Sequence, residues 1–248
     1  MNNQKPPALF LMGPTASGKS DLAMKLTEHL PVELVSVDSA LVYQDMNIGT
    51  AKPDAETLRN YPHHLIDVRA PDETYSAADF RVDVLSLMSK ITDRGNVPLL
   101  VGGTMLYFKV LIEGIASMPA ADKTVRASII ALAEAQGWQK LHDRLAEVDP
   151  ESAARIHPND SQRLQRALEI WELTGQTMTE LHKLQLGQAG LPYDICQIAI
   201  IPPDRARLHR IIALRFEQML SAGFVDEVES LRSKYELHAM LPSIKSVG

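Results

Sequence analysis

Residues Gly13 to Ser20 read GPTASGKS, with two glycines, a lysine and a terminal hydroxyl at the spacing of a phosphate-binding loop. The residue types state the chemistry. Gly13 and Gly18 let backbone N–H groups converge on anionic oxygens, and a helix starting directly after them adds the positive end of its dipole. Lys19 supplies a mobile positive charge, and Ser20 a hydroxyl suited to a phosphate-bound Mg²⁺ ion. Thr15 and Ser17 can donate further hydrogen bonds, and Pro14 and Ala16 complete the loop. Such a loop holds a di- or triphosphate and does not reveal which. The second candidate is Asp38, at the carboxyl end of the apolar run Glu33–Val37. It has three readings: an organiser of Mg²⁺ as in a nucleotide hydrolase or small-molecule kinase, a base that takes a proton from an attacking amine, or a cap of the following turn. Spacing leaves all three open.

These groups need elements to position them. Four short apolar runs, Ala8–Met12, Glu33–Val37, Leu65–Val68 and Pro98–Val101, alternate with helical patterns in the first half of the chain. That is the signature of a parallel sheet flanked by helices. Ligands of such folds bind beyond the carboxyl ends of the strands, and Asp38 reaches the loop if its strand neighbours the first one. The helix after the loop is expected to be amphipathic through Leu22, Leu26 and Leu30. From about Asp122 to Leu186 helix follows helix. Within that stretch Asn159 or Asp160 caps a helix whose Leu164, Ala167, Leu168 and Trp171 share one core-facing stripe, with Gly175 as its stop. Gln197–Ile201 reads as a returning strand, after which Asp204 caps a helix running to about Ser221, with Gly223 at its end. The expected class is therefore α/β: a P-loop NTPase-like parallel sheet flanked by helices, with an inserted helical domain. The boundaries are 1–118 and 191–248 for the core and 119–190 for the insertion.

Composition narrows the setting. The net charge of −6 argues against gripping nucleic acid through a general basic field, so any RNA contact must be local. No charged segment leads into a long apolar run at the start, and no run approaches the roughly 18 residues of a membrane span. A cytosolic protein without membrane attachment is expected. The single cysteine, Cys196, excludes an internal disulfide and is expected as a small buried apolar residue.

With GPTASGKS come DSALVYQDMNIGTAKP from Asp38, HHLIDV at His63–Val68, GGTMLY at Gly102–Tyr107 and NDSQRLQRALE at Asn159–Glu169. In this order, over essentially the whole chain, these motifs closely resemble the bacterial tRNA dimethylallyltransferases. The resemblance implies transfer of a dimethylallyl group from dimethylallyl diphosphate to the exocyclic amine of the adenosine 3′ of the anticodon, with Mg²⁺ as cofactor. It implies Thr15–Ser20 and Arg215 on the donor diphosphate, Asp38 as general base, and Thr104 touching the same adenine. RNA contacts are implied for Asp38, Ser39, Ala40 and Leu41, for Gln162, Arg163, Leu164, Gln165 and Arg166, and for Arg126. The partners are then the tRNA anticodon stem-loop and the prenyl donor, with the chain acting as a monomer.

Some positions depart from the family pattern. Many relatives have QVYRGMDIGTAKP where this chain has LVYQDMNIGTAKP, so an Arg is lost and Asp45 gained. Met105 replaces the Gly of GGTGLY and adds bulk beside the channel in which donor meets base. Adjacent His63 and His64 are expected to be structural, because neighbours on an extended segment point to opposite faces. The final SIKSVG lies inside a segment that relatives continue, which reads as truncation. Two rivals remain: a P-loop kinase acting on a nucleoside or other metabolite, with Asp38 on Mg²⁺, and a non-catalytic RNA-binding module with a vestigial loop. The five ordered motifs favour the transferase.

Overall fold

The computed structural model describes residues 5–115, 118–185, 190–239 and 241–245. Strand β1 (Pro7–Met12) leads through the glycine-containing loop into α1 (Lys19–Thr27). There follow β2 (Val32–Val37), α2 (Ala55–Asn60), β3 (His63–His64), α3 (Ala77–Asp93), β4 (Val97–Gly102) and α4 (Met105–Glu113). Helices α5 (Lys123–Gln136), α6 (Trp138–Val148), α7 (Pro150–Arg155), α8 (Ser161–Thr174) and α9 (Met178–Gln185) come next, then β5 (Asp194–Ala199), α10 (Arg205–Ser221) and α11 (Phe224–Lys234). The chain divides into two compact units, one of residues 1–113 and 191–248 and the other of residues 114–190. Leu186, the expected end of the helical stretch, and Ser246–Gly248 of the final motif lie outside the described residues.

The first unit is a parallel sheet ordered β3-β2-β4-β1-β5. A parallel sheet covered on both faces needs strands that are apolar at successive positions, and PALFLM and VELVSV meet that demand by sending alternate residues to opposite layers. Phe10, Val35 and Leu100 join Phe80, Val84 and Met88 of α3 and Phe108 of α4 on one side. Leu11, Leu34 and Leu99 pack with Ala23 of α1 on the other. A reciprocal pair of hydrogen bonds between Ser76 and Asp79 caps α3, which fixes where that covering helix begins.

Register places the site. Met12 pairs with Gly102 and Gly102 with Val37, so β1, β4 and β2 end level and their next residues share one edge. The strands bearing the loop and Asp38 do not meet the condition of being neighbours: β4 lies between them, a separation of roughly 10 Å at two inter-strand spacings. That strand must end in glycine, because a Cβ on Gly102 would lie 2.0 Å from the carbonyl oxygen of Val37. Gly102→Ala is expected to cost at least about 2 kcal/mol, read as a fall in Tm of several degrees. An unchanged Tm would show that β2 can move aside.

Several local expectations are corrected. Leu65–Val68 is not a strand; pairing stops at His64, and Leu65 and Asp67 adopt φ of 61° and 56°. The turn brings Asp67 to Lys52 and lets Val68 N–H donate to Val42 O. The returning strand starts three residues early and ends at Ala199. Leu22 and Leu30 are exposed, and α1 packs through Ala23 and Leu26 instead. Cys196 is exposed rather than buried because β5 is an edge strand.

The helical unit has its own core of Ile129, Ala133, Leu141, Leu145, Leu164, Ala167 and Leu168. Asp160 caps α8 by accepting from Arg163 N–H, and Gly175 ends it in the left-handed conformation. Trp171 is only half-buried, with the Arg144 guanidinium over its ring. Among the described residues no helix is long and apolar enough to cross a membrane.

Candidate active site

The loop after β1 is built for a ligand. Ala16 and Gly18 take φ of 62° and 81°, which turns the chain back on itself before α1. No side chain caps α1, whose N-cap is Gly18, so its first-turn amides and dipole face the loop. Gly13 is constrained because a Cβ there would meet Ser17 Oγ at 2.8 Å and Ile200 O at 3.0 Å. Ser17 Oγ is buried without a hydrogen-bond partner, an orphan that a phosphate oxygen would satisfy. Lys19 Nζ folds over the loop and donates to Pro14 O at 3.1 Å. Ser20 is exposed in the first turn of α1, where its hydroxyl is an oxygen ligand of the kind Mg²⁺ takes.

Asp38 caps its turn: Oδ1 accepts from Ala40 N–H at 2.8 Å and Leu41 N–H at 3.4 Å. The other carboxylate oxygen has no such duty. Thr104, following β4, accepts from Ser39 N–H through Oγ1 at 3.1 Å, and its own N–H donates to Val37 O. Hence the residues after β2 and β4 form one hydrogen-bonded patch. Met105 beside it is exposed. A small cavity joins Thr15, Asp38, Ala40 and Thr50 to Ile212, Arg215, Phe216 and Met219 of α10. Arg215 and Met219 also line an adjoining open cleft of about 770 Å³ that includes Lys52 and Asp67.

Charge in this cavity is unbalanced. Burial pushes the Lys19 ammonium below its usual value, and Asp38 pulls it up while Arg215 pushes it further down. Burial likewise lowers Arg215, against the attraction of Asp38. Two half-buried cations thus share one carboxylate, and an anion placed among the loop amides would relieve both.

Between Leu41 and the histidines the sequence offered a family motif and the departure at Asp45 but no assigned site residue, yet that segment forms a wall of the cavity. Thr50 lines it and donates to Met46 O. Lys52, its side chain only 3% exposed, donates to Tyr43 O and pairs with Asp67. Asp45 is exposed and accepts from Lys234 and Tyr235, which ties this segment to the end of α11. Glu227 was also missed. The two histidines part as expected: His63 bonds Tyr61 O, and His64 bonds Glu33.

The remaining residues with an implied RNA role lie in the helical unit, where burial separates them. Gln162 and Arg163 are exposed on α8, but Leu164 is wholly buried, and Gln165 is buried with its amide donating to Arg126 O. Those two are interior because α8 turns that face to α5. Arg126 and Arg166 both donate to the buried Glu169 carboxylate while remaining partly exposed. Burial tends to raise the Glu169 pKa, but the bonds from Arg126 and Arg166 hold it below its usual value. Glu169→Ala is expected to destabilise the unit by about 2–3 kcal/mol, because two arginines and the Asp122 N–H lose their acceptor. Denaturant unfolding checks this; an unchanged midpoint would mean water replaces the carboxylate without cost.

Comparison with known proteins adds a lineage. The family model described as IPP transferase matches residues 41–248. The chain is similar to the tRNA isopentenylpyrophosphate transferase of Bacillus halodurans, at 35% identity and a TM-score of 0.63, covering 98% of this chain and 74% of that one. The corresponding Staphylococcus epidermidis enzyme is 33% identical, with a TM-score of 0.62 and coverage of 98% and 78%. A eukaryotic dimethylallyltransferase acting on tRNA is 26% identical with a TM-score of 0.75, covering 98% of this chain and 60% of that one.

Proposed function

This chain belongs to the IPP transferase family, and on that premise we propose that it transfers a dimethylallyl group from dimethylallyl diphosphate to the N6 amine of the adenosine 3′ of the anticodon in tRNA. The observation that carries the reading is the convergence of Thr15 of the loop, Asp38 and Arg215 on one cavity, with Lys19 near enough to feel the charge of both. The allylic C–O bond breaks as the amine nitrogen forms its bond to that carbon. Charge then collects on the departing diphosphate, where the loop amides, Lys19 and Arg215 hold it. The Ser20 hydroxyl would help hold Mg²⁺, whose charge would supply further neutralisation there. The unengaged oxygen of Asp38 takes the proton that the amine loses. Thr104, tied to Ser39 beside it, would bound the space for the base.

An adenine in an anticodon loop must leave its stack to reach this point. The exposed Gln162 and Arg163, with Arg166, Arg126 and the Asp38–Leu41 turn, supply the polar groups for the RNA, which suits a chain of negative net charge that needs local contacts. The same proposal includes a cytosolic, monomeric enzyme. Labelled donor, Mg²⁺ and an anticodon stem-loop with adenosine after the anticodon form the test. Label should appear in the RNA. If label stays out of the RNA while phosphate passes from ATP to a metabolite, the chain is a kinase, and with neither activity it is a binding module.

A further inference from the structure

The cavity has two walls from distant parts of the chain: the segment after Asp38, carrying Ala40 and Thr50, and α10, carrying Arg215. Something must set the distance between them. Apolar packing contributes little, since Met219 is the one buried residue of α10. The tie comes from the next helix. Glu227 accepts three consecutive amides, Asn47 at 2.8 Å, Ile48 at 2.7 Å and Gly49 at 3.0 Å. Amides converging in this way form an anion site, here filled by the protein's own carboxylate. Beside it the Phe224 ring lies against Gly49, where a Cβ would fall 2.2 Å from a ring carbon, and Phe224 meets Phe216 of α10 edge-on. The clamp therefore grips within three residues of Thr50 and passes through Phe224 to the helix bearing Arg215.

We infer that Glu227 is a positioning residue, whose grip on the Asn47–Gly49 amides holds Arg215 at its working distance from Asp38 and the diphosphate. This rests on the proposed function and adds to it a residue that touches neither substrate. A purely structural residue would lower the melting temperature and leave the folded enzyme's chemistry alone. A positioning residue acts through Arg215, so its effect must vanish when Arg215 is gone.

The test is a double-mutant cycle on the whole chain with E227A, R215A and the pair, well below each melting temperature. It measures calorimetric binding of Mg²⁺-pyrophosphate and prenyl transfer to the stem-loop. Folded E227A is expected to lose roughly 10-fold in pyrophosphate affinity and 10- to 100-fold in transfer, as misplacement of order 1 Å produces. Added to R215A, it should cost less than about 2-fold more. E227Q, which keeps the shape but loses the charge, should fall between and serves in its place if E227A does not fold. Wild-type values in the folded variant, or losses that multiply in the pair, overturn the inference. Failure of the wild type to prenylate RNA while it still binds pyrophosphate would count against the proposed function alone.

Discussion

Asp38→Asn is expected to lower turnover by at least about 10², within the 10²–10⁴ that a positioned general base contributes, while donor affinity changes by less than about 3-fold. The substitution is chosen because Oδ1 accepts from Ala40 and Leu41 N–H, and an asparagine oxygen can keep both bonds. The turn then survives and only the proton acceptor is removed. Loss of the negative charge does not oppose binding of an anionic donor, so weaker donor binding has no origin in electrostatics. Single-turnover rates at saturating donor, with a separate binding isotherm, distinguish the outcomes. If affinity and rate fall together by the same factor, Asp38 serves the site's architecture or its metal and not the amine.

Lys19→Ala should act on the other reactant. Its ammonium lies in the cradle at the start of α1 and is depressed mainly by burial. In such surroundings a charge contact to an oxyanion is strong, and loss of one such donor costs on the order of 10²–10³ in rate. The fall should appear in kcat/KM for the donor and in pyrophosphate affinity, with binding of the unmodified stem-loop unchanged. Lys19→Arg should recover little, since a planar fork does not replace a point charge reaching back over its own loop. Undiminished donor binding in Lys19→Ala would move the diphosphate out of this loop.

Some of the site was readable in one dimension and some was not. GPTASGKS declared itself because each part of its chemistry, a left-handed glycine, a converging amide, a charge and a helix start, lies within eight consecutive residues. Asp38 was legible as an acid ending an apolar run, with turn capping among its readings, but the strand that separates it from the loop was not. Leu65–Val68 has the composition of a strand, yet the positive φ of Leu65 and Asp67 turns it out of the sheet after His64. Arg126 and Arg166 were legible only as RNA contacts implied by the resemblance, and their shared acceptor, Glu169, emerged only when α5 and α8 were seen together.

The amino-acid order by itself determined the phosphate loop, the alternation of buried strands with helices, the all-helical stretch and the acid awaiting a partner. These depend on backbone preference and side-chain chemistry over a few neighbouring positions. Only the tertiary structure decided that β4 stands between β1 and β2, that Arg215 faces Asp38 from 177 positions away, and that Glu227 holds the amides of Asn47 to Gly49. Such meetings depend on strand order and helix docking, which are set by packing the whole core at once and leave no short-range mark on the residues they bring together.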